Sequence, residues 1–250
     1  MNKLSVIIPT FNEDENIEAA ITTVSFADEI IVIDSFSSDN TIAIAKKMGA
    51  RILLRAFDNF SSQKNYAIEK AKHKWIILLD ADERVGEELK KEILKIVSQD
   101  PRNKAYWVYR RNYLLGREIK YSGWQNDKVI RLIDRDSCRY NGQLVHEEII
   151  LPKKVGFLKN KLDHYTYKDF NSFIRKKNKV AQLQAQMLAN KNKKFSIFVV
   201  LGKTFYRFWN HYLFRRGFLD GFQGFFIASF YAYTIFTRYI KLWIINKGLK

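Results

Sequence analysis

Lys74-Trp75-Ile76-Ile77-Leu78-Leu79-Asp80-Ala81-Asp82-Glu83 is the stretch on which the fold turns. Its apolar run is short and ends abruptly in acid. Such a run predicts a strand buried on both faces of a sheet. The two aspartates then fall at the strand's carboxyl end, the edge where open α/β sheets bind ligands. If strand geometry continues, Asp80 and Asp82 point to the same side. Two hard oxygen ligands there suit Mg²⁺ or Mn²⁺ already carrying a diphosphate. The same residues also read as an acidic start, Asp82-Glu83, to a helix over Val85–Val97.

Working outward, the chain alternates strand and helix. Leu4–Ile8 and Glu29–Asp34 are apolar runs that end in polar turns, the second on a carboxylate. Asn12 or Asp14 is placed to cap a helix over Glu15–Val24. Thr41–Met48 is a helix closed by Gly49. Arg51–Arg55 is a third strand, and Ser61 or Ser62 opens a helix to Ala71. This alternation with short loops predicts a mostly parallel sheet with helices on both faces. Beyond Pro101 the pattern changes to short β-rich segments of mixed direction: Ala105–Tyr113, Val129–Arg135 and Leu144–Leu151. From Lys168 onward helices are expected over Phe170–Ala189, Phe195–Phe214 and Phe218–Asn246. The division expected is a catalytic α/β domain over 1–165 and a basic, aromatic-rich helical extension over 166–250.

Charge marks the same boundary. Residues 1–152 balance 23 basic against 23 acidic side chains, whereas residues 153–250 hold 20 basic ones and only Asp163, Asp169 and Asp220. The whole net charge of +17 therefore lies in the last part of the chain. Such a surplus points to a polyanionic partner, an anionic membrane surface or a nucleic acid. Gly221–Thr237 is free of charge and sits at the short limit for a membrane span. Gly217, Gly221, Ala228 and Ala232 form a small-residue ridge suited to close helix packing. We expect this last helix to be partly immersed in a membrane, its alternative being a buried helix of a helical subdomain. The single Cys138 excludes an internal disulfide and fits a reducing compartment. Met1-Asn2-Lys3 leads straight into an apolar run broken at Pro9, which predicts no cleaved leader.

Three strand-end motifs occur in order: Val6-Ile7-Ile8-Pro9-Thr10-Phe11-Asn12-Glu13, Ile31-Val32-Ile33-Asp34-Ser35 and Leu79-Asp80-Ala81-Asp82. Together they resemble the inverting glycosyltransferases of family 2, which have the GT-A fold and use nucleotide-sugars. Asp34-Ser35-Phe36-Ser37-Ser38-Asp39-Asn40-Thr41, Gln63-Lys64-Asn65, Arg131-Leu132 and Val145-His146-Glu147 resemble more narrowly the lipopolysaccharide inner-core branch, whose best-known members are β-1,4-glucosyltransferases that modify heptose.

The resemblance implies a nucleotide-sugar donor, a lipid-linked glycan acceptor and a divalent metal. It places Pro9, Thr10, Asn12 and Glu13 around the base and ribose, with Asp34 accepting from a base N–H. Asp80 and Ala81 complete the donor side. Lys64 is either a nucleotide contact or a solvated helix lysine. Asp80 and Asp82 are the expected metal ligands, with His164 as a third. An inverting reaction needs a carboxylate to take the acceptor's proton. Family position gives Glu147, with His146 orienting it or contacting phosphate. In a strand Glu147 and Glu148 face opposite ways, so only one enters the site. Trp124 offers a face to a sugar ring, and Asp127 and Arg131 offer hydrogen bonds to an acceptor.

Two other readings bear on partners. The same fold also serves a polyprenyl-phosphate or another surface glycan as acceptor. A nucleic-acid binder would use the basic tail and lose affinity steeply with salt. Here the basic residues interleave with long apolar helical runs and no nucleic-acid motif is present, so no nucleic-acid partner is expected. No Gly-rich phosphate loop follows the first strand, which disfavours a sugar nucleotidyltransferase.

Overall fold

The computed structural model describes residues 2–99, 101–141, 149–150, 154–167 and 170–249. The chain divides into two compact units, Met1–Arg110 with Lys128–His164, and Arg111–Asp127 with Tyr165–Lys250. The segment 111–127, placed by sequence in the catalytic domain, thus packs with the C-terminal helices.

The first unit is the α/β fold expected. Its elements run β1 (Leu4–Thr10), α1 (Asp14–Thr23), β2 (Glu29–Asp34), α2 (Thr41–Lys47), β3 (Arg51–Leu54), α3 (Phe60–Lys70), β4 (Trp75–Leu78), β5 (Glu83–Arg84) and α4 (Glu87–Ser98). β6 (Ala105–Leu114) runs on into the second unit, where it pairs with β7 (Arg117–Glu118). Then come β8 (Lys128–Asp134), β9 (Arg139–Tyr140), β10 (Ile149–Ile150), β11 (Val155–Phe157) and β12 (Leu162–His164). The sheet order is β3-β2-β1-β4-β8-β6-β12-β5. β1, β2, β3 and β4 are parallel, while β8 runs antiparallel to both β4 and β6. β11 adds to β6 in parallel, so the later strands are mixed in direction.

The alternation of side chains along each strand builds two cores. Leu4, Val6 and Ile8 with Trp75, Ile77 and Leu79 face Ile17 and Ile21 of α1, Ala45 of α2 and Leu89 and Ile93 of α4. Ile7, Ile31, Ile33, Ile76 and Leu78 face Ala67 and Ile68 of α3. Burial on both faces is why these runs carry no polar alternation. Cys138 is buried, and that burial pushes its thiol up to about 11, well away from a reactive thiolate.

The second unit holds α5 (Phe170–Asn190), α6 (Ile197–Trp209) and α7 (Phe222–Asn246). A π turn over Asn210–Phe214 and a 3₁₀ turn over Gly217–Asp220 join α6 to α7. α7 starts four residues later than the sequence predicts. Gly221 adopts φ +64°, and a Cβ on Gly224 would stand 1.7 Å from the carbonyl oxygen of Gly217. That close approach folds the chain back on itself before the helix begins.

α7 packs against both α5 and α6. Ile227, Ala228, Ile235 and Leu242 are buried, as is Phe226. One side of α7 is thus covered by its neighbours, as a helical subdomain requires, while Phe222, Phe225, Tyr233, Phe236 and Trp243 stay exposed on the other. No helix among the described residues is long and apolar enough to cross a membrane.

Lys177 of α5 is buried, with its ammonium 3.9 Å from the ring centre of Tyr231. Burial, with Lys176 adding repulsion, pulls it down to about 8. The unfolded chain keeps this proton up to the ordinary lysine range, so stability rises as pH climbs from about 8 to about 10.5. The expected rise is roughly 2 to 3 kcal/mol. Urea unfolding across that range checks it. Lys177→Met should flatten the rise.

Candidate active site

The carboxyl ends of β1, β2 and β4 meet at one edge. The register pairs Thr10 with Asp34, and Leu79 continues β4 by donating its N–H to the Ile7 carbonyl at 3.0 Å. Asp34 is fully buried and acts as a knot. It accepts from Thr10 Oγ1 at 2.7 Å, from the Ser37 N–H at 2.7 Å and from Ser37 Oγ at 2.6 Å. Asn12, at φ +56°, donates its N–H to Ser37 Oγ and accepts the Ser38 N–H on Oδ1. With Asn12 occupied in this way, Glu13 becomes the residue that caps α1, through its carbonyl and without a side-chain cap. Pro9, Thr10, Asn12, Glu13 and Asp34 are thus brought together, with the exposed rings of Phe11 and Phe36 beside them in sequence.

Asp80 and Asp82 do not continue as a strand. β4 ends at Leu78, and the chain turns. The Glu83 N–H donates to the Asp80 carbonyl at 2.9 Å, and the Asp80 N–H donates to Glu83 Oε2 at 3.0 Å. The strand geometry on which a shared side was expected therefore stops short of both aspartates, and the turn gives them different partners. Asp80 Oδ2 accepts from Arg131 Nη2, with Arg110 Nη2 3.7 Å away. Asp82 Oδ2 lies 3.4 Å from His164 Nε2. The antiparallel pairing of β12 with β5, His164 opposite Glu83, brings the histidine there.

Beneath this turn lies a buried charge cluster. Glu83 is fully buried, 2.7 Å from Arg131 Nη2 and 2.9 Å from Arg110 Nε. Burial alone would raise the Asp80 carboxyl, but Arg131, Lys64, Arg110 and His164 outweigh it and hold Asp80 well below the usual carboxylate range. Glu83 is pushed up by burial and by the Asp80 charge, against the pull of Arg131 and Arg110. Asp80 is therefore a fixed anion at the site.

Lys64 is buried on α3, 5.1 Å from the Tyr140 ring centre, and not a solvated helix lysine. Its neighbours Gln63 and Asn65 tie α3 to Ser35 and to the Tyr140 backbone. Ala81 is buried, and its carbonyl accepts from Arg84.

Among the described residues no three His, Cys, Asp or Glu side chains converge as a ready metal site. The expected trio of Asp80, Asp82 and His164 is not assembled, because Arg131 takes Asp80 Oδ2. The adjacent Asp82–His164 pair remains, an oxygen and a nitrogen donor suited to a divalent cation that draws its other ligands from a diphosphate and water.

The model of the family described as Glycosyl transferase family 2 matches residues 5–232. The chain is a family 2 glycosyltransferase. It is 30% identical to an uncharacterized glycosyltransferase of Rickettsia typhi over 97% of this chain and 87% of the relative. It is 27% identical to the lipopolysaccharide core biosynthesis glycosyltransferase LpsC of Rhizobium meliloti, over 76% of this chain and 73% of that one. Among solved structures, glucosyl-3-phosphoglycerate synthase from Mycobacterium tuberculosis aligns over 44% of each chain with a TM-score of 0.39 and 21% identity.

In this glycosyltransferase the remaining candidates have the following partners. Arg131, expected at the acceptor, is buried and holds Asp80 and Glu83 instead. Trp124 and Asp127 belong to the second unit. There Trp124 Nε1 donates to the Tyr231 hydroxyl at 3.3 Å, and Asp127 accepts from Asn112 at 3.2 Å. Glu147 and His146 lie outside the described residues. Sequence reasoning missed Glu83 and Arg110. Its one available signal was a charge in the middle of an apolar strand, Ile130-Arg131-Leu132, since a buried arginine demands buried carboxylates.

Proposed function

We propose that this glycosyltransferase moves glucose from a UDP-sugar to a lipid-linked lipopolysaccharide core acceptor, with inversion, at the cytoplasmic face of the inner membrane. The observation that carries the acceptor class is the similarity to a relative named for lipopolysaccharide core biosynthesis. The knotted strand ends support the donor side. There Pro9, Thr10, Asn12, Glu13 and the Asp34 knot shape the nucleotide end, and Lys64, Asp80 and Ala81 face the diphosphate end. A bound Mg²⁺ or Mn²⁺ neutralises charge on the departing diphosphate, and Asp82 and His164, beside Asp80, are the residues that would hold it. The acceptor hydroxyl oxygen bonds to the anomeric carbon as the carbon–oxygen bond to the diphosphate breaks. Its proton passes to the Glu147 carboxylate, which His146 orients. Trp124 and Asp127 serve the acceptor, and the basic second unit serves the anionic membrane surface.

The test offers UDP-glucose with either a heptose-containing lipid A core or polyprenyl phosphate. Transfer to the core alone, giving a β-linked product by NMR, is expected. Transfer to polyprenyl phosphate alone overturns the acceptor. In the same assay Glu147→Gln should lower the rate by roughly 10² or more, with donor affinity unchanged. If Glu148→Gln shows that profile instead, the base is the neighbouring residue.

A further inference from the structure

We propose that the second unit docks on an anionic bilayer through the outer face of α6 and the turns that follow it. The proposal rests on the membrane reading above and names the surface that carries it. α6 is apolar on opposite sides. Inward, Val200 is buried with Ile235, Tyr239 and Leu242 of α7. Outward, Phe198, Leu201, Phe205 and Trp209 recur at spacings of three and four and so form one stripe. They are 84%, 57%, 67% and 37% exposed. A helix apolar on both sides needs a second apolar medium. The stripe contains no charge. Lys203 leaves it to donate to the Tyr239 hydroxyl at 2.8 Å.

The turns after α6 add Phe214 and Phe218, 71% and 46% exposed. Basic side chains bracket it: Lys193 and Lys194 before the helix, Arg215 and Arg216 after it, all exposed. At 13 residues, about 20 Å, α6 is too short to cross a hydrocarbon core of about 30 Å. A short helix of this kind lies in the plane of the interface, rings inward and cations at the headgroups. The charge pattern selects this occupant over a second copy. Pairing the face with itself would set like basic rims against each other, whereas an anionic leaflet complements them.

The full chain is sedimented with vesicles of phosphatidylethanolamine and phosphatidylglycerol, and with neutral phosphatidylcholine vesicles. We expect binding to the anionic vesicles that weakens in salt without vanishing. Phe198→Glu/Phe205→Glu should lower partitioning roughly tenfold or more. Both side chains are exposed, so circular dichroism and donor binding should be unchanged. Phe198→Ser/Phe205→Ser separates lost insertion from added repulsion, and Arg215→Gln/Arg216→Gln should reduce the salt sensitivity. Brominated lipid should quench a fluorescence component that Trp209→Phe removes. Wild-type binding with undiminished binding of both phenylalanine double variants overturns docking through α6 but keeps the membrane reading. Wild type left in the supernatant with anionic vesicles overturns both. Self-association without lipid that either double variant abolishes assigns the face to a second copy.

Discussion

Replacing Asp82 with alanine is expected to cut glycosyl transfer by roughly a thousandfold while leaving the protein folded. Asp82 is partly exposed, and its Oδ2 lies 3.4 Å from Nε2 of the buried His164. A single polar contact of this kind contributes about 1 kcal/mol. The melting temperature should therefore hardly move. The transfer loss has another source. Asp82 and His164 are the adjacent donors proposed to hold the cation that neutralises the leaving diphosphate, an effect worth several kcal/mol in the transition state. The check is diphosphate release from the donor, paired with a thermal melt. Transfer near the wild-type rate, or full activity in chelator, would remove the cation from the proposal.

Arg131→Met should do the reverse, unfolding the first unit more readily by about 3–5 kcal/mol. Arg131 contacts the carboxylates of both Asp80 and Glu83, and Glu83 is fully buried. Without the guanidinium, two acids share Arg110. Leaving one member of a buried ionic group unpaired costs far more than the intact group contributes. Glu83→Leu together with Arg131→Met should cost well under the sum of the two single changes, because the double variant removes charge from both sides. Urea titration of the four proteins gives the coupling. Strict additivity would mean that the two side chains act independently.

These two residues also show what the sequence can and cannot reveal. β1, β2 and β4 were legible because strands buried on both faces must be uninterrupted apolar runs; the first two end on Thr10 and Asp34, and Asp80 lies just past the third. The family motifs sit on those ends, so the grouping of Pro9, Thr10, Asn12, Glu13 and Asp34 at one edge was legible with the fold. The turn after Leu78 was not. It is closed by Glu83, whose burial depends on Arg131, 48 residues on, and no local pattern encodes a partner that distant. Arg131 was consequently assigned to the acceptor and Glu83 to a helix start. The packing of the last helix was hidden for a similar reason. Its composition suits lipid, yet its small residues admit α5 and α6 on one side while Phe222, Phe225, Tyr233, Phe236 and Trp243 stay exposed on the other. Both faces of α6 are apolar, so its composition gives no sign of which one is covered.

Asp220 carries a consequence for how the molecule comes into being. Buried in the second unit, it accepts the N–H groups of Lys120 and Tyr121 and the Ser122 hydroxyl, while the Ser122 carbonyl takes its bond from His211 Nδ1. Trp124 likewise waits for Tyr231. Translation delivers this loop about a hundred residues before the side chains that fix it. A nascent chain that stalls short of Asp220 already possesses Asp34, Asp80 and Asp82, yet lacks the Tyr231 hydroxyl that Trp124 Nε1 donates to. The loop's shape is thus set by contacts far along the chain, so its hydrogen bonds close only once residues 211–231 have been made.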